Sequence, residues 1–253
     1  MDDLASFLSI SLNLTDTKST VNSFQGSSSQ TNPNLPAPNI FIIAKLHSNK
    51  SYSKKHFRET MTKDWNKLCH FLVVITKRPP NLLLVAFGCD GDRRRIMIQQ
   101  PWIYQNNAIL IDIPNSLDVL NGNSLHSIPL WVQVHNTPFF KRSEELVALI
   151  SLRLRPMLEV DKLSFKETWG SYLRIKIMFN VSQPIHQGIP IEFQSINKVV
   201  WLTLKHENLP NICFFCGRMG HSYNDGYFNY LKTCDESPTP PYLCYEKTSR
   251  VKF

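Results

Sequence analysis

The chain has 253 residues, 42% apolar, 11% aromatic and 19% charged, which excludes a wholly disordered polymer and leaves no room for a large multidomain enzyme. Its formal charge of +8 comes from 28 Lys and Arg against 20 Asp and Glu, and the excess lies in the middle: residues 40–205 hold 22 bases and 12 acids, with near-neutral segments on either side. A basic body of this kind points to an anionic partner, nucleic acid first among them.

In chain order, residues 1–39 begin Met-Asp-Asp with no basic n-region or long apolar run, so no secretory signal is expected, and the Ser, Asn, Gln and Pro of 23–39 read as a linker. From 40 the pattern changes. Ile40 to Leu46 is a buried-strand run, and Ser53 caps a helix that carries Phe57, Met61, Trp65 and Leu68 on one face. Strands are predicted at Phe71 to Ile75 and Asn81 to Phe87, a helix from Asp90 to Gln99 that Pro101 ends, and a strand from Asn107 to Ile113. The order β-α-β-β-α-β over 40–113 is ferredoxin-like, the order that underlies RNA-recognition modules. An Asn/Ser-rich connection, 115–127, leads to a second small α+β unit over 128–205. It has strands at Leu130 to His135, Tyr172 to Phe179, Ile189 to Phe193 and Val199 to Lys205, and a helix from Ser143 to Arg155. No internal repeat is convincing at the residue level. The longest apolar runs are far too short to cross a bilayer, so a soluble intracellular protein is expected, in nucleus or cytoplasm.

Period-2 alternation sorts the second unit's strands into two faces. Leu173, Ile175, Ile177 and Phe179 form an apolar set. The opposite set gathers Tyr172, Arg174 and Lys176, with Trp131, Gln133 and His135 and with Trp201, Thr203 and Lys205. If the strands share one sheet, that face mixes aromatics and cations, which suits base stacking together with phosphate attraction. Packing of Trp131, Trp201 and Tyr172 against the first unit is the competing reading. Arg93, Arg94 and Arg95, like Lys54, Lys55 and Arg58, read as solvated helix faces, and Cys69 and Cys89 as small apolar fillers.

The region 206–253 contains the sharpest motif, Cys213-Phe-Phe-Cys216-Gly-Arg-Met-Gly-His221. C-x2-C-x4-H is the front of a zinc knuckle: two thiolates clamp one ion from a tight turn, Gly217 and Gly220 let the backbone fold around it, and His221 is the third ligand. Phe214, Arg218 and Met219 are then expected to face outward, for stacking on a base and holding phosphate. The knuckle wants Cys at 226, where this chain has Gly226. Two readings stay open: Cys234 completes the Zn2+ site through a flexible 225–233 loop, or the knuckle is a relic. Cys244 lies further on.

At these residues the chain resembles a plant family. Asn208-Leu-Pro-Asn-Ile212 leading into Cys213, and Trp201-Leu-Thr-Leu-Lys-His-Glu207 before it, look like the segment that introduces a plant C-x2-C-x4-H-x4-C knuckle. Pro101-Trp102, the Leu130 to His135 strand closing with Pro138, Leu158 to Asp161 and Tyr172 to Lys176 look like the domain of unknown function that precedes it. That architecture occurs in first-open-reading-frame products of plant LINE-type retrotransposons and in host proteins derived from them. The resemblance covers about 40–226. It implies a non-catalytic nucleic-acid-binding protein with zinc at Cys213, Cys216 and His221.

The expectation is therefore an α+β protein that binds single-stranded nucleic acid, RNA or DNA, with no membrane and no small-molecule substrate as partner. The alternative is a degenerate protein-interaction module whose knuckle no longer closes. No GxxxxGK[ST], GxGxxG, HExxH or GxSxG occurs, and Cys213, Cys216 and His221 are too close in sequence for a nucleophile with a separately oriented base.

Overall fold

A computed structural model describes residues 40–79, 81–114, 122, 125–138, 140–154, 156–166, 170–238, 245 and 250–251. The expected N-terminal linker, most of the 115–127 connection and Cys244 lie outside these residues. Among the described residues, two sheets, antiparallel except for one short parallel pair at the end of the second, and four α-helices lie in one compact unit, Pro38–Phe253.

The first sheet follows from its caps and its apolar runs. After β1 (Phe41–Leu46), the Ser53 hydroxyl accepts from the His56 N–H at 3.3 Å and starts α1 (Lys54–Asn66). Then come β2 (Val74–Arg78), β3 (Leu82–Ala86), α2 (Asp90–Ile98), β4 (Trp102–Tyr104) and β5 (Asn107–Asp112). The strand order β2-β3-β1-β5, with β4 added at the edge, is the ferredoxin-like order. Phe57, Met61 and Trp65 of α1 and Ile96 of α2 share one buried cluster with Ile42, Ala44, Leu83, Val85, Ile109 and Ile111, so both helices cover the same face, as the alternation requires.

β2 begins three residues later than its apolar sequence suggests. Side chains hold the preceding segment instead: the Asp92 carboxylate accepts from the His70 and Phe71 N–H groups at 2.9 and 3.0 Å, and Asn66 Oδ1 accepts from Val73 N–H at 2.7 Å. Burial alone would push the Asp92 carboxyl up. The two N–H donors, the Cys89 thiol and Arg95 outweigh it and hold Asp92 below the ordinary carboxylate range.

The second sheet contains β6 (Ser127–His135), β7 (Met157–Val160), β8 (Leu173–Asn180), β9 (Gly188–Phe193), β10 (Lys198–Glu207) and β11 (Arg250–Val251), with α3 (Glu144–Ser151) capped by Ser143. β4, β7 and β11 are additions to the predicted strands; two to four residues give too short a pattern to read. The order β7-β8-β6-β10 repeats the topology of the first sheet. Where the first unit has α2, however, the second has the hairpin strand β9, paired with β10 from Lys198 to Thr203.

That leaves the second sheet with one covering helix, and the first sheet supplies the rest. Ile43, Leu84, Ala108 and Leu110, which alternate with the helix-facing set, belong to the same buried cluster as Leu146 and Ile150 of α3 and Leu130, Val132, Ile175 and Leu204 of the second sheet. The first sheet is therefore buried on both faces. The second is buried on one and largely half-buried on the other, where Trp201 and Val199 are exposed.

Candidate functional site

The open face of the second sheet carries the side chains that the alternation groups together. Register pairs Trp131 with Lys176, Gln133 with Arg174, His135 with Thr203 and Gln133 with Lys205, and directly paired residues point to one side. Tyr172 packs on His135 with ring centroids 5.1 Å apart and the rings tilted by 43°, and the Arg174 guanidinium lies 3.8 Å over the Trp131 ring, with Lys176 Nζ at 5.5 Å. Trp201 is 53% exposed. Its indole lies over Gly188, where a Cβ would meet Trp201 Cε2 at 2.3 Å, so only glycine at 188 lets the ring lie flat on the sheet.

The charge on this face is more balanced than the cations alone suggest. Arg174 Nε and Nη2 donate to the two Glu207 oxygens at 2.9 and 2.8 Å, and Nη1 reaches Asp161 at 3.5 Å. These bonds, chiefly to Glu207 and against the opposing effect of burial, raise the Arg174 pKa further. Glu207 in turn accepts from Gln133 Nε2 at 3.0 Å. Arg174 is thus a neutralised brace for Trp131, while Lys176, Lys205 and Trp201 are the groups the face presents. The missed partners are acids 33 and 13 residues away in sequence, a distance at which no local pattern signals a pair.

His135 Nε2 donates to Gln133 Oε1, 3.1 Å away. Burial, with Lys205 and Arg142 nearby, lowers its pKa.

The Cys/His segment folds as a short hairpin, with Ile212 bridged to Met219, the Cys213 N–H donating to the Arg218 carbonyl at 2.9 Å and the Gly217 N–H to the Cys213 carbonyl at 2.7 Å. Gly217 (φ +71°) and Gly220 (φ +89°) adopt the left-handed backbone that the turn needs. The Sγ atoms of Cys213 and Cys216 and a ring nitrogen of His221 lie within 4.8 Å of one another, with Cys216 Sγ 3.2 Å from His221 Nε2. Two soft sulfurs and an imidazole at this spacing fit zinc, and the group could hold a metal ion. Burial, partly offset by the Arg218 N–H, and the neighbouring Cys213 sulfur push the Cys216 thiol up; a cation among these atoms reverses that.

Two expectations fail here. The segment after His221 is no flexible loop but α4 (Tyr223–Glu236), and Cys234 sits near its far end, about 16 Å of helix from Tyr223. Among the described residues the ligand group is Cys213, Cys216 and His221, without Cys234. Nor do all three flanking side chains face outward. Met219 is buried in the shared core and Phe214 packs against it, leaving Arg218 exposed, because the hairpin is docked on the body and not hung from it. Phe215 packs edge-on against Tyr230 of α4 at 5.5 Å. The docking is made by main-chain bonds: Asn49 N–H to the Gly220 carbonyl, Asn211 N–H to Asn106, and Ile185 N–H to Gly217, at 2.9, 2.6 and 3.0 Å.

No family model matches the chain. An uncharacterized protein of Arabidopsis thaliana is 28% identical over 136 residues, covering 53% of this chain and 41% of that one, so the match spans about two fifths of the relative's length. Among solved structures, the chain is similar to the RNA-binding domain of Hrp1 in complex with RNA, at 11% identity over 54% of this chain and 79% of that one, with a TM-score of 0.24. It is also similar to RNA recognition domains 1 and 2 of Sex-lethal from Drosophila melanogaster, at 10% identity over 56% and 87%, with a TM-score of 0.24. No described helix is long and apolar enough to cross a membrane.

Proposed function

We infer that the chain binds single-stranded nucleic acid without catalysing a reaction, and that the open face of the second sheet is the main contact. One observation carries this reading: of two sheets with the same strand order, the first is covered on both sides, and the second keeps one face free with Trp201, Trp131, Tyr172, Lys176 and Lys205 on it. The exposed Trp201 ring offers a π-face to an unstacked base, beside the half-buried Trp131 and Tyr172, and the lysines offer charge to the phosphates. The excess of bases in residues 40–205 supports an anionic partner in general.

In this reading Cys213, Cys216 and His221 hold zinc, which fixes the hairpin and so presents Arg218 beside the strand. The resemblance over 40–226 points to descent from a plant LINE-type first open reading frame, and the Arabidopsis relative agrees with the plant part of that reading alone. A protein-interaction role has one observation in its favour, the burial of Met219 and the packing of a half-buried Phe214 against the core, which removes one of the knuckle's three contact side chains and restricts a second. A salt titration separates the two, because a contact that releases counterions weakens steeply with salt, by about 0.7 log units per phosphate for each log unit of salt on a single strand. Binding of a 20-nucleotide RNA whose affinity does not change with salt, or no binding at all, would reject the reading.

A further inference from the structure

We propose that a second nucleic-acid contact runs from the Cys/His hairpin along residues 48–58 to a basic groove beside α1, on the first unit, where it takes the phosphodiester backbone of the same strand. The proposal rests on the nucleic-acid reading above but on none of the residues of the open sheet face.

Two small cavities meet at Tyr52. One, of about 110 Å³, is lined by Lys54, Lys55, Arg58 and Lys77 over an apolar floor of Phe57 and Leu83. The other, of about 200 Å³, is polar and lies between Ser48 and Asn107 of the first unit and Gly220 and Ser222 of the hairpin. Tyr52 lines both, so the two cavities are neighbours at that side chain. Among the described residues neither is lined by a carboxylate. Each is also smaller than the roughly 300–1,000 Å³ of a site for a free drug-sized molecule, which fits a repeating unit of a chain better than a separate small ligand.

The charge pattern of α1 is the independent argument. Helices gain from acids in the first turn and cations in the last. α1 has no acid in its first turn and instead places Lys54 and Lys55 there, against its own dipole, with Arg58 at the start of the next turn. None of Lys54, Lys55, Arg58 and Lys77 has an ion pair among the described residues; Lys54 is steered by Asn81 Oδ1, to which it donates at 2.6 Å. By contrast, Arg93 and Arg94 of α2 are both paired with Asp90. A cluster of cations that opposes its helix and has no internal acid to answer it is explained by an external anion. The hairpin is anchored to the start of the segment that leads into α1, since the Asn49 N–H donates to the Gly220 carbonyl.

The test is salt-titrated fluorescence anisotropy on the full chain, with a 20-nucleotide single-stranded RNA and a DNA of the same sequence. The triple variant Lys55→Gln, Arg58→Gln, Lys77→Gln, which keeps the Lys54–Asn81 bond, is compared with Arg93→Gln, Arg94→Gln. Loss of three phosphate contacts is expected to flatten the salt slope by about two units and weaken low-salt binding about tenfold or more, with RNA and DNA alike, whereas the α2 variant should leave the slope unchanged. An unaltered slope in the triple variant, with its helix content and melting midpoint intact, overturns the groove alone. No binding by the unmodified chain overturns the groove and the general reading together. If Trp201→Ala leaves affinity intact while the triple variant loses it, the groove stands and the open sheet face falls. Photocrosslinking from 4-thiouridine provides the second readout: one strand should mark peptides from both 48–58 and 213–222, and marks confined to strands β8 and β10 would reject the path.

Discussion

The two sheets share a strand order and differ in what covers them, and their sequences differ in the same sense. β1 and β3 read Phe-Ile-Ile-Ala-Lys-Leu and Leu-Leu-Leu-Val-Ala, apolar on both faces. β8 reads Leu-Arg-Ile-Lys-Ile-Met-Phe-Asn, apolar on one. A run of consecutive apolar residues belongs to a strand buried on two sides, and alternation to a strand with one face in water. The helix-free face of the first unit, through which a module of this topology could meet a ligand, is spent on Ile43, Leu84 and Leu110 as cover for its neighbour. A shared topology therefore does not carry a shared interface. The covering layer decides which face remains available.

The comparison breaks most visibly under charge. Ile43→Asp, which buries a carboxylate without a partner between the sheets, is expected to cost about 4 kcal/mol or more, while Val199→Asp on the open face costs within about 1 kcal/mol, both measured by urea denaturation. Equal effects would mean that the two faces are equally covered. Next in size is Met219→Ala, expected to lose about 2–3 kcal/mol of stability as a buried side chain is truncated, against within about 0.5 kcal/mol for the neighbouring Arg218→Ala. A neutral Met219→Ala would place the hairpin outside the core.

Trp201→Ala should leave stability nearly intact and weaken single-stranded RNA binding by about 1–3 kcal/mol, the worth of one stacked base. Gly188→Ala, which lifts the same indole off the sheet, should weaken binding in the same direction with Trp201 still present. Unchanged affinity in both variants removes Trp201 from the interface. The smallest effect is on pH. His135 has a lowered pKa in the fold, so the unfolded chain binds its proton first; stability is full above the ordinary imidazole pKa of about 6.5 and falls as pH drops through the lowered folded value. Melting midpoints across that range should decline less in His135→Gln than in the unmodified chain.

Much of this was legible in the sequence because it is local. Ser53 and Ser143 announce α1 and α3, alternation assigns the faces of β6, β8 and β10, and the spacing of Cys213, Cys216 and His221 announces the ligand group. What was not legible depends on residues far apart in the chain. The apolar Phe71 and Leu72 look like a strand until Asp92 takes up the main-chain donors of His70 and Phe71. Arg174 looks like a free cation until Glu207 answers it. Met219 looks like a stacking residue until the body closes over it, and the cations of α1 look like a solvated face until Lys77 of β2 completes the groove.

The docking of the hairpin changes what a metal ion would do for this protein. A knuckle on a free tail folds only when its ion arrives, and losing the ion unravels the tail alone. Here Ile212, Cys213 and Met219 are already in or against the common core, and Asn49, Asn106 and Ile185 tie the turn to three separate parts of the chain. Ligand occupancy at Cys213, Cys216 and His221 is thus linked by mass action to the folding equilibrium of the entire unit. An ion at a hundredfold excess over its dissociation constant would add about 2.7 kcal/mol to that equilibrium. Chelation would then appear as a lower midpoint of a single cooperative transition, with Trp65 at the opposite side of the first sheet reporting the same curve as the hairpin itself.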